Sequence, residues 1–291
     1  MSHKDESEIN IYDEVSKHPL PNIDKPRKSN EDFIADLIEA GNLVNKFLAI
    51  TAASVPTLFL EKLQQGILLG HTVRMYKLYD SFLLLISENR SEMALLAMRA
   101  LTETSIILKY LIQNINDDIG QKFIKSSLAY EKKLLELIQH KTQGRDILPF
   151  EKNIIESIKE TFAQTKYKIE DIILKKDKSW HENLFTIAGK VGLSDAYETM
   201  YRAGSHAEHG SWHHLMRYNL NETENMYEPE LNNIEPNFLL ISATSLTCLI
   251  TAHDYLKQIN PEEKIFPQKI EELIKWIKEL NNKRDNFLGL N

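Results

Sequence analysis

The chain has 291 residues, 42% apolar and 26% charged, with ten glycines and nine prolines. That composition excludes intrinsic disorder, collagen and low-complexity fibres, and so few breakers in a Leu-, Ile-, Lys- and Glu-rich chain point to long helices rather than the tight turns of a sandwich or barrel. Lys and Arg total 35 against 42 Asp and Glu, a net charge of -7, so no global positive field holds nucleic acid and a polyanion would need a local patch.

Residues 1–30 hold Pro19, Pro21 and Pro26 among polar and charged residues and are expected to form an N-terminal arm laid on the body. The charged start of this arm lacks the apolar stretch of a secretory signal. From Glu31 a helical period begins: Phe33, Ile34, Leu37, Ile38, Leu43, Val44, Phe47 and Leu48 recur at three- and four-residue steps. Pro56, Pro149, Pro236, Pro261 and Pro267 each precede an apolar-periodic run, where a missing N–H costs nothing and a fixed φ assists the first turn.

Helices are thus predicted near 31–53, 56–87, 91–115, 117–142, 149–176, 180–191, 194–209, 236–258 and 267–286, with no convincing strand alternation. The helices at 117–142 and 149–176 are rich in polar residues and joined through Gly144, which predicts a peripheral helical hairpin. Lys175, Lys176 and Lys178 form a small basic cluster beside it. Residues 210–235, with Gly210, Asn219, Asn221, Asn225, Pro229, Asn232 and Asn233, read as a long loop available to a protein partner. With no repeat and no linker, the partition is an arm, 1–30, and a single helical domain, 31–291. The fold class is all-α, a multi-helix bundle with helix 91–115 at its centre.

The single cysteine, Cys248, sits among Leu246, Leu249 and Ile250. It permits no intramolecular disulfide and reads as an inert core thiol. The uncharged windows 47–60 and 237–252 are shorter than the ~20 residues of a bilayer span and read as buried helices. These features lead to the expectation of a cytoplasmic protein with no membrane association. His71, His253, Trp180 and Trp276 are assigned to packing, and Trp212 to a cap over the core or to stacking on a base or partner.

Two segments carry candidate chemistry. In residues 93–108 only Arg99 and Glu103 are charged, so the helix should be buried all round. Arg N-terminal to Glu at four residues is the weaker orientation of such a pair, and a third polar partner from another helix is expected. In residues 195–214, advancing 100° per residue places Arg202, Ser205, His206 and His209 within about a 100° sector, with Tyr201 flanking and Gly210 ending the helix. One chemistry for this cluster is a His-based metal hydrolase using His206, His209 and His213, with Glu208 as a supplement. A serine nucleophile at Ser205 lacks the second glycine and the strand of a nucleophile elbow.

The spacing of Arg202 and His209 resembles the motif of the higher eukaryote and prokaryote nucleotide-binding (HEPN) ribonucleases, which are all-helical. That resemblance implies metal-independent RNA cleavage with no cofactor, an imidazole moving the proton and a guanidinium stabilising the phosphorane. It also implies a homodimer, for which the uncharged face of 237–252 offers a contact. Leu96-x-x-Arg99-x-x-x-Glu103, followed by Tyr201-Arg202-x-x-Ser205-x-x-x-His209-Gly210-Ser211, is similar to the bacterial domain-of-unknown-function family 5677, over about residues 60–255. This resemblance implies an all-helical fold and marks Arg99, Glu103, Tyr201, Ser205 and His209, with Glu103 expected to orient His209 or pair with Arg99. The expected function is an intracellular bacterial effector of stress or phage defence that cleaves RNA. The alternative is a non-catalytic interaction or sensor protein in which the same residues form a structural polar network.

Overall fold

The apolar period that starts at Phe33 winds into α1 (Asn30–Ala53), opened by a reciprocal cap in which Ser29 Oγ accepts from Asp32 N while the Asp32 carboxylate accepts from Ser29 N. The computed structural model describes residues 19–55, 60–174, 180 and 182–290. After α1 come α2 (Lys62–Ser87), α3 (Ser91–Asn114), α4 (Asp117–Lys141), α5 (Pro149–Ala163) and α6 (Leu184–Lys190). The next segment is α7 (Ser194–Ala196), which runs through a π-helical turn (Tyr197–Tyr201) into α8 (Arg202–Glu208). It is followed by α9 (Trp212–Tyr218), the strands β1 (Leu220–Glu222) and β2 (Tyr227–Pro229), α10 (Phe238–Ile259) and α11 (Ile265–Leu288). The fold is all-α, with one two-stranded antiparallel hairpin among the described residues.

The described residues cluster into two compact units, one formed by residues up to 113 together with those from 183 onward, the other by residues 114–182. In the first, α1 packs directly on α2, α10 and α11, and α10 on α11. In this group, rather than around α3, helix-to-helix packing is most extensive. Tyr79, Phe82, Phe238 and Tyr255 are its largest sealed side chains, and the two phenols are satisfied by Ser245 Oγ (2.8 Å) and Ser54 O (3.1 Å). Cys248 is sealed beside them, and burial pushes its thiol up to about 12.

By length and composition α10 could cross a membrane. Its side chains Ile241, Ser245, Cys248, Leu249 and Ala252 are nevertheless buried in the bundle, and Leu239 alone is exposed between 238 and 252. The surface expected to meet a second copy is therefore largely consumed by the core. α3 is free of exposed residues from Leu101 to Ile112, but its opening turns leave Met93 and Leu96 42% and 40% exposed. All-round burial holds only for its second half.

Of the predicted arm, residues 1–18 lie outside the described residues. The remainder is tied down: Trp276 Nε1 donates to Pro21 O at 2.7 Å, and Arg27 and Lys25 converge on buried Asp36 at 2.7 and 3.0 Å.

The second unit contains the expected helical hairpin, α4 and α5, closed over Leu128, Leu135, Ile158, Phe162 and Ile172. Helix α5 stops at Ala163, short of the expected 176. Thr165 donates its hydroxyl to Phe162 O and accepts from Tyr167 N, offering the backbone an alternative to another helical turn. The Lys175, Lys176 and Lys178 cluster, like Pro56, falls outside the described residues.

Glu151 opens α5, accepting from Leu148 N and chelating Arg145. The Arg145 guanidinium, with the Leu148 amide second, holds its carboxyl down at about 2, from an ordinary 4.5. A depressed folded pKa contributes stability above the unfolded value that is lost as pH falls through the folded one. This contribution should therefore fade between about 4.5 and about 2, and Glu151→Gln should remove that part of an acid titration of the helical signal measured by circular dichroism.

Residues 210–235 are not the structureless loop expected. Ser211 caps α9, and Leu220, Asn221 and Glu222 pair with Pro229, Glu228 and Tyr227. The hairpin turn closes through Thr223, whose N–H and hydroxyl both donate to Met226 O. Strands this short carry too little alternation to be seen in a sequence.

Candidate functional site

The two segments singled out in the sequence meet along α3 and α8. Tyr201, Gly204, Ser205 and Glu208 follow the i, i+3, i+4, i+7 rule of a single helix stripe, and this stripe faces α3. Contact is close enough at Gly204 that a Cβ there would lie 2.4 Å from Arg99 Cβ and 2.7 Å from Leu95 O. Only glycine allows this approach.

Arg99 projects from α3 into the gap. Its Nε donates to Ser205 Oγ at 3.0 Å, its Nη2 to Tyr201 OH at 3.1 Å, and its Nη1 pairs with Glu208 Oε2 at 2.9 Å. The guanidinium also lies over the Tyr201 ring, 4.7 Å from its centroid. Ser205 passes its own proton to Tyr201 O at 3.0 Å. The third polar partner expected for Arg99 is thus Glu208.

The π turn helps to shape this wall. It takes more residues per revolution than an α-helix, so Tyr197 and Tyr201, four apart, stack with centroids 4.9 Å apart and planes 15° from parallel. Phe185 closes edge-on against Tyr197. The Tyr201 hydroxyl is pushed above its ordinary value, first by burial and then by the charge of Glu103.

Glu103 does not play its expected part. Among the described residues it makes no ion pair or hydrogen bond with Arg99 or His209; its charge helps to raise the Tyr201 hydroxyl. The physical reason is directional: Arg99 reaches across to α8 and satisfies three donors there, whereas Arg-before-Glu within one helix is a weak pair.

Arg202 and His209 flank the stripe and face solvent, with side chains 62% and 73% exposed. Arg202 pairs with Glu198 at 2.9 Å, and His209 Nε2 lies 3.6 Å from Glu208 Oε2. Seven α-helical residues apart, they share one side at a rise of ~10 Å. The predicted polar sector is therefore split: Ser205 turns inward to Arg99, while Arg202 and His209 turn outward.

His206 leaves the group to bond Ser211 Oγ at 3.0 Å. Gly210, at φ 53°, ends the helix between His209 and His213, so their four-residue spacing does not make a zinc pair. His206 and His213 have ring centroids 6.0 Å apart, and among the described residues no three His, Cys, Asp or Glu side chains converge to hold a metal ion. His214 is buried against Tyr218, and burial pushes its pKa down.

Polar spacing brings in Gly204 only as the first glycine of an incomplete nucleophile elbow, and Glu208 as a supplement to a metal set. The signal that finds them is the i, i+3, i+4, i+7 stripe running from Tyr201, which a search for polar residues alone does not weight. Other assignments hold: His253 bonds Glu271 at 2.8 Å, His71 bonds Ile67 O at 2.8 Å, and Trp180 packs edge-on against Phe123.

Residues 65–227 match the Family of unknown function (DUF5677), and the chain belongs to that family. The match spans α3 and α8 and thus every residue of the Arg99 network. Comparison with curated proteins and with solved structures finds no match.

Proposed function

We propose that this protein is an intracellular bacterial effector, acting in stress or phage defence, that cleaves RNA without a metal at Arg202 and His209. The observation that carries this reading is the Glu208 carboxylate, which lies between Arg99 (2.9 Å) and His209 (3.6 Å) and so couples an anchored guanidinium to a water-exposed imidazole. A carboxylate beside a histidine steadies the imidazolium formed when it takes a proton.

The neutral His209 ring removes the proton of a ribose 2′-hydroxyl. The 2′-oxygen attacks phosphorus, and the 5′-oxygen departs with a proton from water or from His209 of a second copy, giving a 2′,3′-cyclic phosphate and a 5′-hydroxyl. Arg202 stabilises the phosphorane. Its exposed pair with Glu198 is worth little, so a phosphate displaces it at small cost. Arg99, Tyr201 and Ser205 are positioning residues that fix Glu208. Resemblance to the HEPN ribonucleases supports two copies acting together.

The test is incubation of the purified protein with a labelled oligoribonucleotide in a chelator. Cleavage with a cyclic phosphate product is expected, and His209→Ala should lower the rate by about 10²–10⁴-fold with the melting temperature within a few degrees, since the ring is exposed. Failure to cleave any RNA, with or without metal, sinks the proposal. A second reading, a non-catalytic interaction or sensor protein, is favoured by one observation: all three guanidinium nitrogens of Arg99 are engaged inside the fold. It predicts that changes at Arg99 alter stability with no activity to lose.

A further inference from the structure

Three residues beyond His209 stands an aromatic ring that the fold orients but does not bury. Trp212 is 60% exposed, and Tyr227 of β2 meets it edge-on, centroids 5.6 Å apart at 88°. An edge contact steadies the indole while leaving ring face uncovered. Its place relative to His209 is set by three constraints. Gly210 makes the left-handed turn, Ser211 N donates to His206 O at 3.1 Å, and Ser211 Oγ meets both His206 Nδ1 and the N–H of His214.

The segment that carries the ring is poor in acids. From Arg202 to Tyr218 the chain carries Arg202, Arg217 and four histidines, with Glu208 the sole acid, and that carboxylate is directed to Arg99 and His209. On the hairpin, strand alternation sets Glu228 on the face opposite Tyr227, and Glu230 is held by Asn221 Nδ2 and Asn232 N. Glu222 remains on Tyr227's face. A flat, exposed apolar surface three residues from a candidate general base, on a segment that also carries Arg202 and Arg217, suits a base attached to a phosphate. A paired base, stacked inside a duplex, presents no free face.

We propose that Trp212 is a stacking residue for an unpaired nucleobase beside the scissile phosphate, so that the preferred substrate is single-stranded RNA; the inference rests on the RNA-cleavage reading above. Tyr227 holds the indole, and the Gly210–Ser211 turn sets its distance from His209.

The test uses the full chain carrying His209→Ala, to keep substrate intact, and reads intrinsic tryptophan fluorescence during titration with a ten-nucleotide single-stranded oligoribonucleotide and with the same strand annealed to its complement. Quenching by the single strand alone is expected. Trp212→Ala should abolish the quenching and weaken binding about tenfold, and Trp212→Phe should retain most of the affinity. Thermal melts of both variants confirm folding.

Three further results are informative. Cleavage by the wild type with a KM and strand preference unchanged in Trp212→Ala overturns the stacking role and leaves the cleavage reading standing. Trp212-dependent binding without cleavage sinks the cleavage reading and keeps the stacking role. Equal quenching by duplex, or no quenching at all, overturns the inference.

Discussion

Gly204→Ala should unfold the site and destabilise the protein by about 3 kcal/mol or more, because overpacking costs of order 1–3 kcal/mol where side chains can yield and here a backbone carbonyl cannot. The new Cβ would sit 2.4 Å from Arg99 Cβ and 2.7 Å from Leu95 O. To relieve this, α8 must retreat from α3, which separates Arg99 from Tyr201, Ser205 and Glu208 together. At ~2–4 °C per kcal/mol, the melting temperature should fall by roughly 6–12 °C. Gly66→Ala is the matched control: it lies exposed inside α2 with nothing within 4 Å of its Cβ, and should stabilise by about 0.5–1 kcal/mol. Differential scanning calorimetry of both variants checks the pair, and a neutral Gly204→Ala would refute the close approach.

Asp36→Ala should cost about as much, for a different reason. Asp36 is buried and accepts from Arg27 Nε at 2.7 Å and Lys25 Nζ at 3.0 Å. Lys25 can return to water. Arg27, with only 3% of its side chain exposed, cannot, and an uncompensated buried charge costs about 3–5 kcal/mol. Urea denaturation should show the midpoint falling without a change in slope. The double variant Arg27→Met, Asp36→Ala should recover a large part of the loss, since replacing both partners of a buried pair is far milder than stranding one.

The bundle was legible because apolar residues keep a 3.6 period in the elements that contribute most core. Phe33, Leu37, Val44, Phe47 and Leu48 in α1 are all buried as their spacing requires. Pro149 opens α5 as a first-turn proline should. Arg99 could be identified too, because an isolated cation among apolar residues needs partners.

The partners themselves were harder to name. A uniform 100° advance weighs residues by polarity and selects Arg202, Ser205, His206 and His209. The stripe that packs on α3 is instead fixed by Gly204, a residue with no side chain to advertise it. Glu208 and Glu103 are indistinguishable as carboxylates, and which one meets Arg99 depends on a helix one hundred residues away. The hairpin at 220–229 was invisible because three-residue strands cannot establish a period.

The anchoring of Pro21 by Trp276 bears on how the molecule is made. The Trp276 indole donates to a carbonyl 255 residues upstream, and Tyr79 finds its hydroxyl partner 166 residues downstream in Ser245. A ribosome synthesising this chain from its N-terminus releases the pair α1 and α2 long before α10 and α11, which also pack on α1, exist. Such distant pairings slow folding, and apolar faces left waiting invite aggregation. The apolar face of α1 that α10 and α11 cover therefore stays open until those C-terminal helices are made.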